Sequence, residues 1–250
     1  MYRFFAERHQ VDTVNNKAYI TGEDVNHLKN VLRMKEGEEI SLTVPGDGNE
    51  YRCAISGFKD DKVELDLLFV KECDVELPCR ITVYQALPKA DKMELIITKA
   101  VELGAARIVP VATSRAVVRL DETKAEKKVA RWNAISEAAA KQSKRAYIPE
   151  VSRVLTMPEA LADCAAFEHK IIPYELADPK SMEQTREALR NIRPGSEVAV
   201  FIGPEGGFTK EEMGSAIQSG FTPVTLGHRI LRTETASLVV LSWINFVIES

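Results

Sequence analysis

From about Asp74 onward the chain alternates apolar runs of strand length with amphipathic runs of helix length. That rhythm restricts the C-terminal two-thirds to a largely parallel sheet covered by helices. Residues 80–87 have the pattern of a buried strand. A helix follows, with Asp91 and Glu94 spaced as a capping box, Met93, Ile96, Ile97, Ala100 and Val101 on one face, and Gly104 where a helix ends. Further strands are expected over 107–111, 170–172, 197–202 and 223–226. Further helices are expected over 122–145, with Val129, Trp132, Ile135 and Ala139 on one side, over 182–191 and 210–219, and from about Glu234.

Residues 1 to about 72 keep a different rhythm. Segments 17–20, 39–44, 51–55 and 62–67 carry β-type patterning. They are separated by Pro45-Gly46-Asp47-Gly48-Asn49 and Lys59-Asp60-Asp61, which are turn compositions. One short helix is expected near 23–32. Short strands at even spacing predict a small β-barrel. The expected organisation is therefore a barrel domain over 1–72 and an α/β domain over 73–250.

Composition removes several function classes. The 250 residues are 45% hydrophobic and 28% charged, with a formal net charge of −4, ordinary for a globular protein. No apolar run is long enough to span a bilayer, and the start has no signal-peptide pattern, so a cytoplasmic location and no membrane partner are expected. Cys53, Cys73, Cys79 and Cys164 lack C-x2-C spacing and are too sparse for a disulfide framework. His9, His27, His169 and His228 are scattered, and with no H-E-x-x-H pattern no metal site is expected. Between Ser114 and Arg145, nine lysines and arginines (Arg115, Arg119, Lys124, Lys127, Lys128, Arg131, Lys141, Lys144, Arg145) face four acids. This stretch is either a phosphate-binding strip or a solvated helix face.

Ligands of open α/β sheets collect beyond the carboxyl ends of the strands. Two such ends are unusual here. The run Phe201-Ile202-Gly203-Pro204-Glu205-Gly206-Gly207-Phe208-Thr209 puts three glycines and a proline directly after a buried strand. Such a turn either clasps a nucleoside through main-chain groups or simply links strand to helix. It matches neither the P-loop nor G-x-G-x-x-G, which argues against a dinucleotide-dependent oxidoreductase. The run Thr225-Leu226-Gly227-His228-Arg229-Ile230-Leu231-Arg232-Thr233-Glu234-Thr235-Ala236 leads from a strand through two arginines into a helix start. Free N–H groups there favour an anion, or Thr233 or Thr235 caps the helix.

Together these two runs closely resemble the trefoil-knotted (SPOUT) methyltransferases, and more narrowly the RsmE family of bacterial 16S ribosomal RNA uridine-N3 methyltransferases. Shorter matches in the same order extend the resemblance over nearly the whole chain: Arg3-Phe4-Phe5, His27-Leu28, Val31-Leu32-Arg33 with Gly37, Lys89-Ala90-Asp91-Lys92-Met93-Glu94, Lys99-Ala100-Val101-Glu102-Leu103-Gly104, Arg131-Trp132 and Gln142-Ser143-Lys144-Arg145. Departures are Ala90 in place of glycine, Lys92 in place of arginine, His228 at a variable or proline position, and Lys141 in place of an acid. The resemblance implies a PUA-like N-terminal barrel for RNA and a knotted α/β methyltransferase domain. It further implies a homodimer, S-adenosyl-L-methionine as methyl donor, and 16S rRNA of the small ribosomal subunit as substrate. It places the donor at Leu87, Ile202, Gly203, Pro204, Glu205, Gly206, Leu226, Gly227, Ile230, Leu231, Arg232, Thr235 and Ala236. Arg232 is expected to orient or stabilise the target base, and Glu205 or Glu234 to handle its proton. Arg8, Arg33, Lys89, Lys92, Arg115, Arg131 and Arg145 are expected to meet RNA. Competing readings are a SPOUT enzyme acting on ribose 2′-hydroxyls or transfer RNA, and a non-catalytic ribosome assembly factor.

Overall fold

The computed structural model describes residues 1–118, 120–174 and 182–249. The chain divides into two compact units, Met1–Glu76 with Ala140–Ile148, and Leu77–Ala139 with Pro149–Ser250.

In the first unit the turn-punctuated sequence forms one curved six-stranded sheet. Its order is β1 (Arg3–Phe5), β4 (Glu39–Thr43), β5 (Asn49–Phe58), β6 (Lys62–Glu72), β3 (Lys17–Thr21) and β2 (Val11–Asp12). Only β1 and β4 pair in parallel. Alternate residues Ile40, Leu42, Cys53, Ile55, Val63 and Leu65 turn inward onto Leu28 and are buried. Burial pushes the Cys53 thiol up to about 12, so it stays protonated and inert. β5 and β6 outrun their expected ends, because backbone pairing continues to Asn49 opposite Glu72 after the side-chain alternation stops, with register shifts at Arg52/Cys53 and Ile55/Gly57. The helix expected over 23–32 is instead one α-turn, α1 (Glu23–Asn26), followed by a π-turn over His27–Val31. There the Leu32 N–H reaches back five residues to the His27 carbonyl at 2.9 Å.

Glu50 is a buried carboxylate of this unit. Arg3 pairs with it, the Ser41 hydroxyl donates to it at 2.6 Å, and Lys71 Nζ lies 3.3 Å away. Burial raises its carboxyl, but the Ser41 hydrogen bond and the Arg3 and Lys71 charges outweigh this and hold the pKa below the ordinary value. A depressed folded-state pKa stabilises the fold above the unfolded value of 4.5, and that contribution is lost as pH falls through the folded value. Glu50→Gln leaves Arg3 without its buried partner. The variant is expected to lose ~3–5 kcal/mol at neutral pH and to show a flatter acid limb in urea unfolding between pH 5 and 3. Segment 140–148 joins this unit through Lys141 on Asp24 at 3.0 Å and Arg145 on Glu76 at 2.6 Å.

The second unit carries an all-parallel sheet. From one edge to the other it runs β10 (Leu155–Thr156), β8 (Arg107–Ala112), β7 (Arg80–Ala86), β12 (Glu197–Ile202), β11 (His169–Pro173) and β13 (Thr222–Val224), with β9 (Glu150–Val151) also on β8. The helices are α2 (Lys92–Glu102), α3 (Glu122–Ser143), α4 (Met157–Asp163), α5 (Met182–Arg190), α6 (Lys210–Gln218) and α7 (Thr233–Ile248). Central strands β7 and β12 are covered on both faces. Tyr84 and Phe201 are fully buried and stack at 5.3 Å between ring centroids.

Two local expectations need correction, and one element is new. The Asp91–Glu94 capping box does not form, because the Glu94 carboxylate pairs with Arg131 at 2.8 Å. The strand expected over 223–226 ends at Val224, because the backbone of Thr225 bonds the Thr185 hydroxyl instead of a neighbouring strand. Helix α4 was not expected, although Thr156 and Glu159 form a complete capping box before it.

Candidate cofactor site

Because every strand of the second sheet is parallel, the carboxyl ends of β7, β12 and β13 share one edge. Leu87 follows β7 and is 3% exposed, its N–H bonded to Val111. After β12 the chain turns at Gly203-Pro204-Glu205-Gly206-Gly207, closed by the Gly207 N–H on the Pro204 carbonyl at 2.9 Å. A Cβ at Gly203 would stand 3.1 Å from the Phe208 ring. After β13, the Thr225 hydroxyl accepts the Gly227 N–H at 3.2 Å, and Gly227 takes φ +100°, a conformation closed to ordinary L residues. α7 then begins at Thr233 behind the N-cap Arg232, with no side-chain capping bond. Thr233 therefore does not cap the helix. Its hydroxyl, 5% exposed overall, donates to the Gly203 carbonyl at 2.6 Å.

The structure brings Glu205 and Glu234 together through Lys92. Lys92 Nζ lies 2.9 Å from Glu205 Oε1 and 3.3 Å from Glu234 Oε2, the second without hydrogen-bond geometry. Burial raises the Glu205 carboxyl, but the Lys92 ammonium and the backbone N–H groups of Glu205 and Lys89 prevail, and its pKa lies below the usual value. The Glu205 hydrogen bond raises Lys92 above the usual lysine value, against a smaller effect of burial. Lys92 thus ties the Gly203 turn to the start of α7 by charge.

Other expected donor-binding residues lie along the same turns. Ile202 and Pro204 are buried, Leu226, Leu231 and Ala236 half-buried, and Glu205, Gly206, Arg232 and Thr235 exposed. Ile230 is 87% exposed. Main-chain groups at two turns, apolar side chains beside them and carboxylates within reach fit a nucleoside bearing a sulfonium. No hydrogen bond among the described residues joins the Gly227 turn directly to the Gly203 turn. Their common sheet edge places them together.

The cations expected to meet RNA divide sharply. Arg8, Arg33 and Lys89 are exposed. Arg115 donates to the Gly206 carbonyl at 2.9 Å and Arg131 pairs with Glu94, yet both keep exposed surface. Lys92 serves the two glutamates. Arg145 is a correction: it is 3% exposed and closed around Glu76, so it holds its own unit together and has no surface for a phosphate. Arg119 lies outside the described residues. Among the described residues no group of three or more His, Cys, Asp or Glu could hold a metal, and no helix is long and apolar enough to cross a membrane.

Sequence reasoning missed Gln85, which links two of these segments. Its signal was a lone amide inside the buried run Ile81-Thr82-Val83-Tyr84-Gln85-Ala86-Leu87, where a polar group needs a partner. Ala90 has φ +54°, a left-handed conformation that favours glycine, the residue the resemblance leads one to expect there. Ala90→Gly is expected to raise stability by ~0.5–1 kcal/mol, read as a higher melting temperature. A lower one would show that the loop tolerates alanine without strain.

An RNA methyltransferase domain family matches residues 75–245, and an RNA methyltransferase PUA domain matches residues 20–68. The ribosomal RNA small subunit methyltransferase E of Bacillus subtilis is 36% identical over 252 residues, spanning 100% of this chain and 98% of the relative. The solved ribosomal RNA small subunit methyltransferase E from Neisseria gonorrhoeae, bound to S-adenosyl methionine, is 32% identical, with a TM-score of 0.84 over 99% of this chain and 98% of that one. A methyltransferase from Legionella pneumophila in complex with bound cofactor SAM gives 32% identity and a TM-score of 0.84, over 98% of this chain and 97% of that one. Fold and site define an RNA methyltransferase of the SPOUT class, a PUA-like sheet followed by a parallel α/β domain. Its full-length relatives narrow this further. The chain belongs to the ribosomal RNA small subunit methyltransferase E family.

Proposed function

We propose that this chain transfers a methyl group from S-adenosylmethionine to N3 of one uridine in the 16S RNA of the small ribosomal subunit, acting as a homodimer in the cytoplasm. The observation that carries the reading is the meeting of the Gly203 turn, the start of α7 and the Lys92-bridged glutamates at one sheet edge, in a chain whose full-length relatives bear that name. Bound S-adenosylmethionine supplies an electrophilic methyl on a sulfonium, so the protein's task is placement and charge control rather than covalent catalysis.

The turns at Gly203–Gly206 and Leu226–Gly227 hold the nucleoside by main-chain groups. Arg232 has no ion-pair or hydrogen-bond partner for its guanidinium among the described residues, and it stands exposed at the start of α7. It orients the uracil and favours its anion as the N3 proton leaves. Glu205 or Glu234 accepts that proton. Arg8, Arg33, Lys89, Arg115 and Arg131 offer exposed charge to RNA phosphates. Incubation with labelled donor and unmodified small subunits, followed by mass spectrometry, is expected to place one methyl on N3 of a single uridine. A label on a ribose hydroxyl or on transfer RNA would assign a different SPOUT activity. No transfer and no binding of S-adenosylhomocysteine would assign a non-catalytic assembly role. Sedimentation at micromolar concentration is expected to show the dimer.

A further inference from the structure

The amide of Gln85 and the hydroxyl of Thr233 form a one-way chain of hydrogen bonds into the glycine turn. Gln85 is fully buried near the end of β7, opposite Ile202 on one side and Pro110 on the other. Its Nε2 donates to the Ala86 carbonyl at 2.9 Å and to Thr233 Oγ1 at 3.0 Å. The Ala86 carbonyl can only accept, so the amide cannot be flipped without setting two acceptors against each other. The Gly203 carbonyl can only accept as well. The single hydroxyl proton of Thr233 must therefore go to Gly203, and its lone pair must take the proton of Gln85. Every direction in the relay is fixed.

We propose that Gln85 and Thr233 are positioning residues for donor binding: they lock the carbonyl of Gly203 to the first turn of α7, so that the two segments flanking the methyl donor keep one spacing. The inference rests on the reading that the donor binds at these turns. The lock acts on segments that are distant in sequence, 85, 203 and 233; the two bonds of Gln85 are buried and the Thr233–Gly203 bond is partly so. Water is shut out at the Gln85 end, so losing the relay leaves buried groups unpaired and loosens the turn.

Thr233→Val keeps the shape and removes both bonds, Thr233→Ser keeps the hydroxyl, and Gln85→Met keeps length and removes the donor. Calorimetric titration with S-adenosylmethionine is expected to show about tenfold weaker binding for Thr233→Val and Gln85→Met. Binding of Thr233→Ser should stay close to that of the parent. In transfer assays on small subunits, KM for the donor should rise in step while kcat at saturating donor stays within about threefold. The double variant should be little worse than either single one, because both break one chain. Parent-like donor affinity in Thr233→Val, or a Thr233→Ser protein as impaired as Thr233→Val, would overturn the relay. Should Thr233→Val fail to fold, Gln85→Met carries the test alone. A parent protein that binds no donor would instead sink the functional reading on which the relay stands.

Discussion

Arg232→Ala is expected to lower kcat for methyl transfer by roughly 10²–10³-fold, with donor affinity nearly unchanged. Arg232 occupies the N-cap of α7, where the helix dipole disfavours a cation, and it makes no side-chain capping bond. An arginine held at the positive end of a helix without a carboxylate partner contributes nothing evident to folding. Its charge is left for a ligand. Because it is exposed, its removal creates no cavity and strands no buried group, so melting temperature should move little. Single-turnover assays at saturating donor separate this effect from binding. Undiminished transfer there would remove Arg232 from the mechanism and shift base activation to the acids alone.

The second large effect is expected at Gly227. Its φ of +100° is strained for any residue with a Cβ, yet an added Cβ would meet no atom within 4 Å. The cost of Gly227→Val is therefore conformational rather than steric, ~1–3 kcal/mol. If the turn shifts to relieve it, the N–H now held by Thr225 rotates away and donor binding weakens roughly ten- to hundredfold by the same measure. Gly227→Asn, more tolerant of positive φ, should fall between glycine and valine. Equal affinity across the three proteins would show that the turn takes no part in holding the donor.

The parallel sheet was legible because buried strands such as 80–87 and 197–202 are long, apolar and bounded by glycine and charge. The two-residue strands β9 and β10 were not, since two residues carry no periodicity. The two glycine turns stood out because glycine directly follows a strand pattern in each of them. What tied the first of them to α7 did not. The Thr233–Gly203 bond joins residues thirty apart, and pattern reasoning assigns a threonine at a helix start to the local cap. Lys92 and Arg145 looked alike in the sequence, both expected to meet RNA. Only the third dimension shows one bridging two glutamates and the other enclosed around Glu76. A chain knot, which the family resemblance implies, likewise leaves no trace in local periodicity.

The lysine bridge has a consequence for how the reaction answers to acidity. With the Glu205 carboxyl held below its customary range and the Lys92 ammonium above its own, neither member changes charge anywhere near neutrality. Neither gives the catalytic edge a titrating switch of its own there. A rise of rate toward alkaline conditions would then originate outside this pair, and the imide of the RNA base is the weak acid that the reaction itself must deprotonate.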